Sequence, residues 1–249
     1  MIKVLYAGDQ AIIQHTFLKG KNSFTFSEVF DEKNFLLDSL EPYEDIDIDY
    51  LPTSYVLKKF PKTIEEISVY DVVLLSDVGT DTLLLYPNMF TMPLGPNRLS
   101  LIEQYVKNGG GFVLIGGWMA FGGQMGQGKY HKTVIEDVLN VNISPYDDRV
   151  EVPEGFKFDP VKPEHPLNKG IEWDKSPLLF SGYNRFEARD KSGVVAEFNG
   201  DPMMAVNEYG NGRALAFASD VAPHWGQGFV EWENYGKFWS TCIRWLARQ

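Results

Sequence analysis

Four histidines and one cysteine stand among 34 Asp and Glu in this 249-residue chain, so any chemistry it performs falls mainly to carboxyl groups. His224 follows Asp220 by four residues, a spacing at which one could act as general base and the other orient it. In Asp147-Asp148-Arg149-Val150-Glu151 the guanidinium could keep its acidic neighbours ionised for a metal or for sugar hydroxyls. Tyr183, Asn184 and Arg185, with Trp118, Phe121, Tyr130 and His131, make an aromatic and polar set of the kind that stacks on a small polar ring. Each has a plainer reading. Asp220 would cap its loop, His224 would pack on Trp225, the acidic run would be a solvated face, and most of the aromatics would be core.

The sequence also excludes some chemistry. Asp147, Asp148, Glu151, His165 and His224 show no HExxH or other fixed ligand interval, so no metal is expected. Gly116-Gly117 and the Gly122–Gly128 stretch lack both GxxxxGK[ST] and a GxGxxG after the first strand, so no nucleotide cofactor is expected. The one thiol, Cys242, has Phe238, Trp239, Trp245 and Leu246 as helical neighbours. Such an apolar face raises a thiol pKa and fits packing better than attack. A net charge of −11, with no basic run beyond Lys58-Lys59, argues against nucleic acid. Without about 18 consecutive apolar residues no membrane span is expected. A single cysteine suits a reducing compartment, and a cytoplasmic home is expected.

These residues must be positioned by the elements around them. Ile2–Ala7 reads as a buried first strand followed by a loop at Gly8-Asp9, a helix is predicted over Glu32–Leu40, and Ile46–Tyr50 alternates like a half-exposed strand near an edge. Thr63 with Glu66 caps a helix leading into Val72–Leu75 and the polar tip Ser76-Asp77-Val78-Gly79. Arg98–Lys107, with apolar residues at 99, 102, 105 and 106, stops at Gly109-Gly110-Gly111 and feeds Phe112–Ile115 into Gly116-Gly117. Alternation of this kind implies a parallel sheet. Asp147–Pro177 reads as a long excursion over that sheet. Short strands come next over Gly193–Phe198, Met203–Asn207 and Arg213–Ser219, and a helix near Glu231–Ala247 closes the chain.

The order of Tyr70-Asp71-Val72-Val73, Ser76-Asp77-Val78-Gly79, Ile115-Gly116-Gly117, the Asp147–Glu151 run, His165-Pro166, Gly182-Tyr183-Asn184, Gly210-Asn211-Gly212-Arg213 and Pro223-His224-Trp225-Gly226 resembles the class I glutamine amidotransferase-like superfamily. Within it, the chain is similar to a family of bacterial cytoplasmic proteins. The resemblance, with the strand pattern, implies a flavodoxin-like α/β three-layer sandwich with a mostly parallel sheet. It would form one domain over 1–249, with a loop-rich insertion at about 140–190 and antiparallel C-terminal strands. Active members carry a cysteine on a strained strand-to-helix elbow. Here the elbow reads Gly116-Gly117-Trp118-Met119-Ala120, with Trp118 at the nucleophile's position, so cysteine-dependent glutaminase chemistry is expected to be absent.

Two functions are then open. In the first, the chain binds or processes a small polar metabolite, sugar derivatives among the candidates, with His224 and Asp220 as catalytic residues. Asp77, Asp147, Asp148, Arg149, Glu151, Tyr183 and Asn184 would be its ligand contacts. Alternatively it is a non-catalytic module for ligand binding or homo-oligomer assembly. Convergence of Asp220, His224 and the acidic run beside the elbow would favour the first.

Overall fold

A computed structural model describes residues 1–85 and 94–249. Its centre is an eight-stranded sheet. In chain order its strands are β1 (Ile2–Gly8), β4 (Ile46–Pro52), β5 (Val72–Ser76), β6 (Gly111–Ile115), β9 (Asp159–Pro160), β12 (Val194–Phe198), β13 (Asp201–Tyr209) and β14 (Gly212–Phe217). They lie side by side as β4-β1-β5-β6-β14-β13-β12-β9. The first five run parallel, and β13, β12 and β9 add antiparallel pairings at the far side. The chain is therefore a mixed α/β protein built on a large, mostly parallel sheet.

Sequence explains the ordering. Strands covered on both faces must be apolar at every position, and Val72, Val73, Leu74 and Leu75 are all without solvent exposure. β4 sits at the edge, where its alternating Ile and Asp residues need only one covered face. Helices α1 (Asn34–Leu40), α2 (Thr53–Lys59), α3 (Ile64–Ile67), α4 (Thr80–Leu84), α5 (Arg98–Lys107), α6 (Val134–Leu139), α7 (Pro223–Val230) and α8 (Tyr235–Leu246) connect the strands or pack on them. α1 lies against α8, which contacts β1, β6 and β14, while α5 and α6 pack together and reach β14. The Thr63 hydroxyl accepts the Glu66 N–H at 3.3 Å, as a capping box requires. None of the described helices is long and apolar enough to cross a membrane.

Two segments depart from the sequence reading. The stretch between Asp9 and Glu32, to which the sequence reading assigns no element, is a β-hairpin of β2 (Gln10–Lys19) and β3 (Asn22–Asp31), and the helix expected from Glu32, α1, begins only at Asn34. Lys19 pairs with Asn22, leaving Gly20-Lys21 as a two-residue turn. Gly20 has φ +60°, which suits glycine at the first turn position. The excursion after residue 140 also contains strands. β7 (Val141–Ile143) pairs with β11 (Phe186–Ala188), and β8 (Arg149–Phe156) pairs with β10 (Phe180–Asn184).

Candidate functional site

Strand register builds the site. Gly8 lies opposite Ser76, Ser76 opposite Ile115, and Ile115 opposite Phe217. Four adjacent parallel strands thus end at one level, and their C-terminal tips emerge at the same rim of the sheet: Asp9, Asp77, the Gly116–Ala120 elbow and the Ser219-Asp220 loop. This is the carboxyl end, where open α/β sheets gather ligands. Gly8 is needed there, because at φ +139° a Cβ would lie 1.8 Å from the Ser76 carbonyl oxygen.

The tips enclose a cavity of about 170 Å³ lined by Asp9, Gln10, Ala11, Phe30, Glu32, Asp77, Trp118, Asp220 and His224. His224 Nδ1 is 3.1 Å from Asp220 Oδ2, and the other Asp220 oxygen accepts the Ala222 N–H at 2.9 Å. The functional and structural readings of this pair therefore hold together: Asp220 caps its loop and orients the imidazole. The His224 ring also leans on Trp225, 4.8 Å between centroids, and meets Trp118 edge-on at 4.9 Å.

Burial governs the charges. Asp9 accepts hydrogen bonds from the Tyr6 hydroxyl and, at 2.9 Å, from Ser76. Burial, reinforced by the nearby Asp220 and Asp77 carboxylates, still pushes it well above the usual carboxylate range. Asp220 is also raised well above that range, by burial and then by Asp77 and Glu32. Burial also raises Asp77 and Glu32. The His224 imidazole is pushed down by burial despite the surrounding acids. Burial thus favours the uncharged forms of Asp9, Asp220 and His224, on both sides of the 3.1 Å contact between the imidazole and Asp220. Protonated carboxyls can donate hydrogen bonds.

No thiol or hydroxyl side chain stands on the elbow, Gly116-Gly117-Trp118-Met119-Ala120. Strand β6 runs into turns through residues 116–123 and then a 3₁₀ turn at Gln124–Gly126, so no helix N-terminus stands behind Trp118. Both flanking N–H groups are engaged. Gly117 donates to Asn184 Oδ1 at 2.8 Å and Met119 donates to Asp77 Oδ1 at 2.5 Å. Donors already occupied cannot serve a developing oxyanion. Gly117 has φ +151°, and a Cβ there would lie 2.6 Å from Asp77 Oδ1. Trp118 is 43% exposed. Cys242 is fully buried on α8, and burial drives its thiol well above its usual pKa.

The other expected ligand contacts divide. Arg149 holds Asp147 through two hydrogen bonds, at 3.0 and 2.9 Å, and brings it down to about 2. Its guanidinium lies 5.7 Å from the Trp118 ring centroid. Glu151 accepts from Trp225 Nε1 at 3.0 Å. Asp148 is buried and accepts the Gly122 and Gly123 N–H groups at 2.7 and 2.8 Å. Asn184, with no exposed surface, donates to Asp148 at 2.9 Å. These two position the elbow loop from beneath. Tyr183 is buried and donates to Asp201 at 2.7 Å, away from the cavity lining. Asp147, Asp148 and Arg149 instead line a separate hollow of about 420 Å³ with Arg185 and Glu187. Glu32, Gln10 and Phe30 join the cavity only because the hairpin folds them there, and nothing in their spacing announced it. Among the described residues no group of three His, Cys, Asp or Glu side chains could hold a metal ion.

A mostly parallel α/β sheet with an elbow after its central strand and a His–carboxylate pair after a neighbouring one defines a class I glutamine amidotransferase-like protein. The chain belongs to the family described as "Putative glutamine amidotransferase", whose model matches residues 3–248. It is similar to two solved structures from Salmonella typhimurium. Cytoplasmic protein STM3548 is 39% identical, with a TM-score of 0.92 and coverage of 98% of this chain and 99% of that one. Cytoplasmic protein STM1381, from strain LT2, is 38% identical, with a TM-score of 0.90 and the same coverage. A search of the curated proteins finds no match.

Proposed function

We propose that this chain is a cytoplasmic amidotransferase-fold protein that has given up thiol chemistry and binds a small, neutral, hydroxyl-bearing metabolite, with His224 available to move a proton on it. We read its scaffold as one flavodoxin-like domain with a loop-rich insertion at 140–190. The observation that carries the reading is the hydrogen-bonded His224–Asp220 pair set against Trp118 in a cavity where burial raises the carboxyls and lowers the imidazole. Burial that penalises charge at Asp9, Asp220 and His224 disfavours an ionic substrate such as glutamine there. The site's carboxyl groups and imidazole suit hydroxyls, and the half-exposed indole suits the apolar face of a sugar ring. The absent thiol and the engaged N–H groups beside Trp118 speak against amide hydrolysis.

A thermal-shift screen of neutral sugars, polyols, sugar acids and glutamine tests this. Neutral hydroxyl-bearing compounds are expected to raise the melting temperature of the wild type but not of Trp118→Ala or His224→Gln. Glutamine is expected to release no ammonia. Ammonia release that disappears in Cys242→Ser would overturn the assignment of that thiol to packing.

A further inference from the structure

The hairpin that walls the cavity continues far beyond it. Ten-residue strands span about 33 Å, and from Ala11 to Phe30 every residue except His15 is exposed. A two-stranded ribbon standing alone is marginal in water, and this one leaves Ile12, Leu18, Phe24, Phe26, Val29 and Phe30 exposed. Pairing places Ala11 with Phe30, Ile13 with Glu28, His15 with Phe26, and Phe17 with Phe24 on one face. The rings on that face stack into a ladder: Phe17 on Phe24 at 4.9 Å, His15 on Phe26 at 4.8 Å, and Phe17 to Phe26 at 5.7 Å. Phe24, Phe26 and Phe30 remain 55, 46 and 49% exposed. An uncovered aromatic face of this length marks a contact surface.

The arm is also polarised. Its tip carries Lys19 and Lys21, and its base carries Glu28, Asp31 and Glu32. Beyond Gly20 there is open space, since a Cβ there meets no atom within 4 Å. The chain as a whole has a net charge of −11, so a basic tip seeks the acidic surface the chain itself supplies.

We infer that two copies of this chain pair through their arms, aromatic face to aromatic face and antiparallel, so that the Lys19-Gly20-Lys21 tip of each reaches the acidic rim of the other's cavity. A two-fold axis near His15 and Phe26 achieves both matches at once, ladder on ladder and basic tip on acidic base, as an isologous interface requires. The face that docks is the one that brings Ala11 and Phe30 into the cavity wall. The mouth of each cavity is then completed by the partner copy. The significance of that completion rests on the ligand-binding reading of the cavity, whereas the pairing stands on the arm alone.

Sedimentation velocity of the full chain, from about 1 to 100 μM, separates the two. The wild type is expected to be a dimer, and Phe24→Lys with Phe26→Lys a monomer, its dissociation constant raised at least about 100-fold. Far-UV circular dichroism of the variant should be unchanged, because both positions are exposed. Lys19→Glu with Lys21→Glu should weaken the dimer, and adding Glu28→Lys with Asp31→Lys should restore it. A wild type monomeric throughout the range, a dimer that survives the phenylalanine changes, or a charge reversal without rescue overturns the inference. Because sedimentation needs no ligand, such a result leaves the metabolite screen to judge the cavity separately.

Discussion

Around Trp118, an imidazole hydrogen-bonded to a carboxyl faces a cavity, with backbone N–H groups close by. Around Cys242, the side chains Phe238, Trp239, Trp245 and Leu246 are buried and leave the thiol without solvent contact. The first region has an imidazole–carboxyl pair beside the elbow, but its N–H groups are already engaged and no nucleophile stands there. The second has the sulfur and nothing to ionise it. Reactivity belongs to the juxtaposition, not to the residue, because a thiol in an apolar setting stays protonated.

The difference should show most strongly in what each region tolerates. Asn184 ties the elbow to the loop above Asp148 with no exposed surface, so Asn184→Ala leaves the Gly117 N–H unpartnered. A loss of about 2–4 kcal/mol in urea unfolding is expected. A loss below about 1 kcal/mol would mean that the elbow does not depend on this support.

Next comes the charge state of the cavity. Asp220 has a folded-state pKa above its unfolded value of about 3.9. Between those two values the folded protein binds more protons than the unfolded one, so stability falls as pH rises through that window. Asp220→Asn removes the slope at this residue. Its stability relative to wild type should improve from about pH 4 to about pH 8, by about 1.4 kcal/mol for each pKa unit relieved. Denaturant titrations at the two pH values check this, and an equal effect at both would refute the upward shift of Asp220.

Cys242 should respond differently. Cys242→Ala is expected to cost roughly 1–2 kcal/mol from lost packing and to leave metabolite binding unchanged. A disulfide reagent should label the native thiol only after urea is added. Rapid native labelling would put the sulfur in the wrong region of this comparison.

How much of this was legible depended on what each residue packs against. β5 and β6 announced themselves because burial on both faces demands unbroken apolar runs. His224 and Asp220 stood out because they come directly after β14. The β2–β3 hairpin escaped because its phenylalanines and isoleucines face away from the chain's own core, and one chain's pattern cannot say what covers them. Glu32, read as a helix start, became a cavity wall through that unseen hairpin. Asn184 and Asp148 were picked out as polar residues in a loop-like stretch, but only coordinates show their polar atoms turned inward to hold backbone N–H groups.

The smallest expected effect lies at the rim between loop and elbow. Arg149 grips the Asp147 carboxylate and covers part of Trp118. The Asp147 side chain is 37% exposed, so solvent screens the pair and it is worth at most about 1 kcal/mol. Because the folded-state pKa of Asp147 is depressed to about 2, this contribution is present above the unfolded value of about 3.9 and fades as pH falls towards about 2. Arg149→Met keeps the aliphatic stem and removes the charge. It should lower stability slightly at about pH 7 and by less at about pH 3, the opposite pH trend to Asp220→Asn. Metabolite affinity should drop only a few-fold if Arg149 acts by holding the indole plane. Complete loss of binding would instead make the guanidinium a direct ligand contact and move the boundary of the site outward to the acidic run.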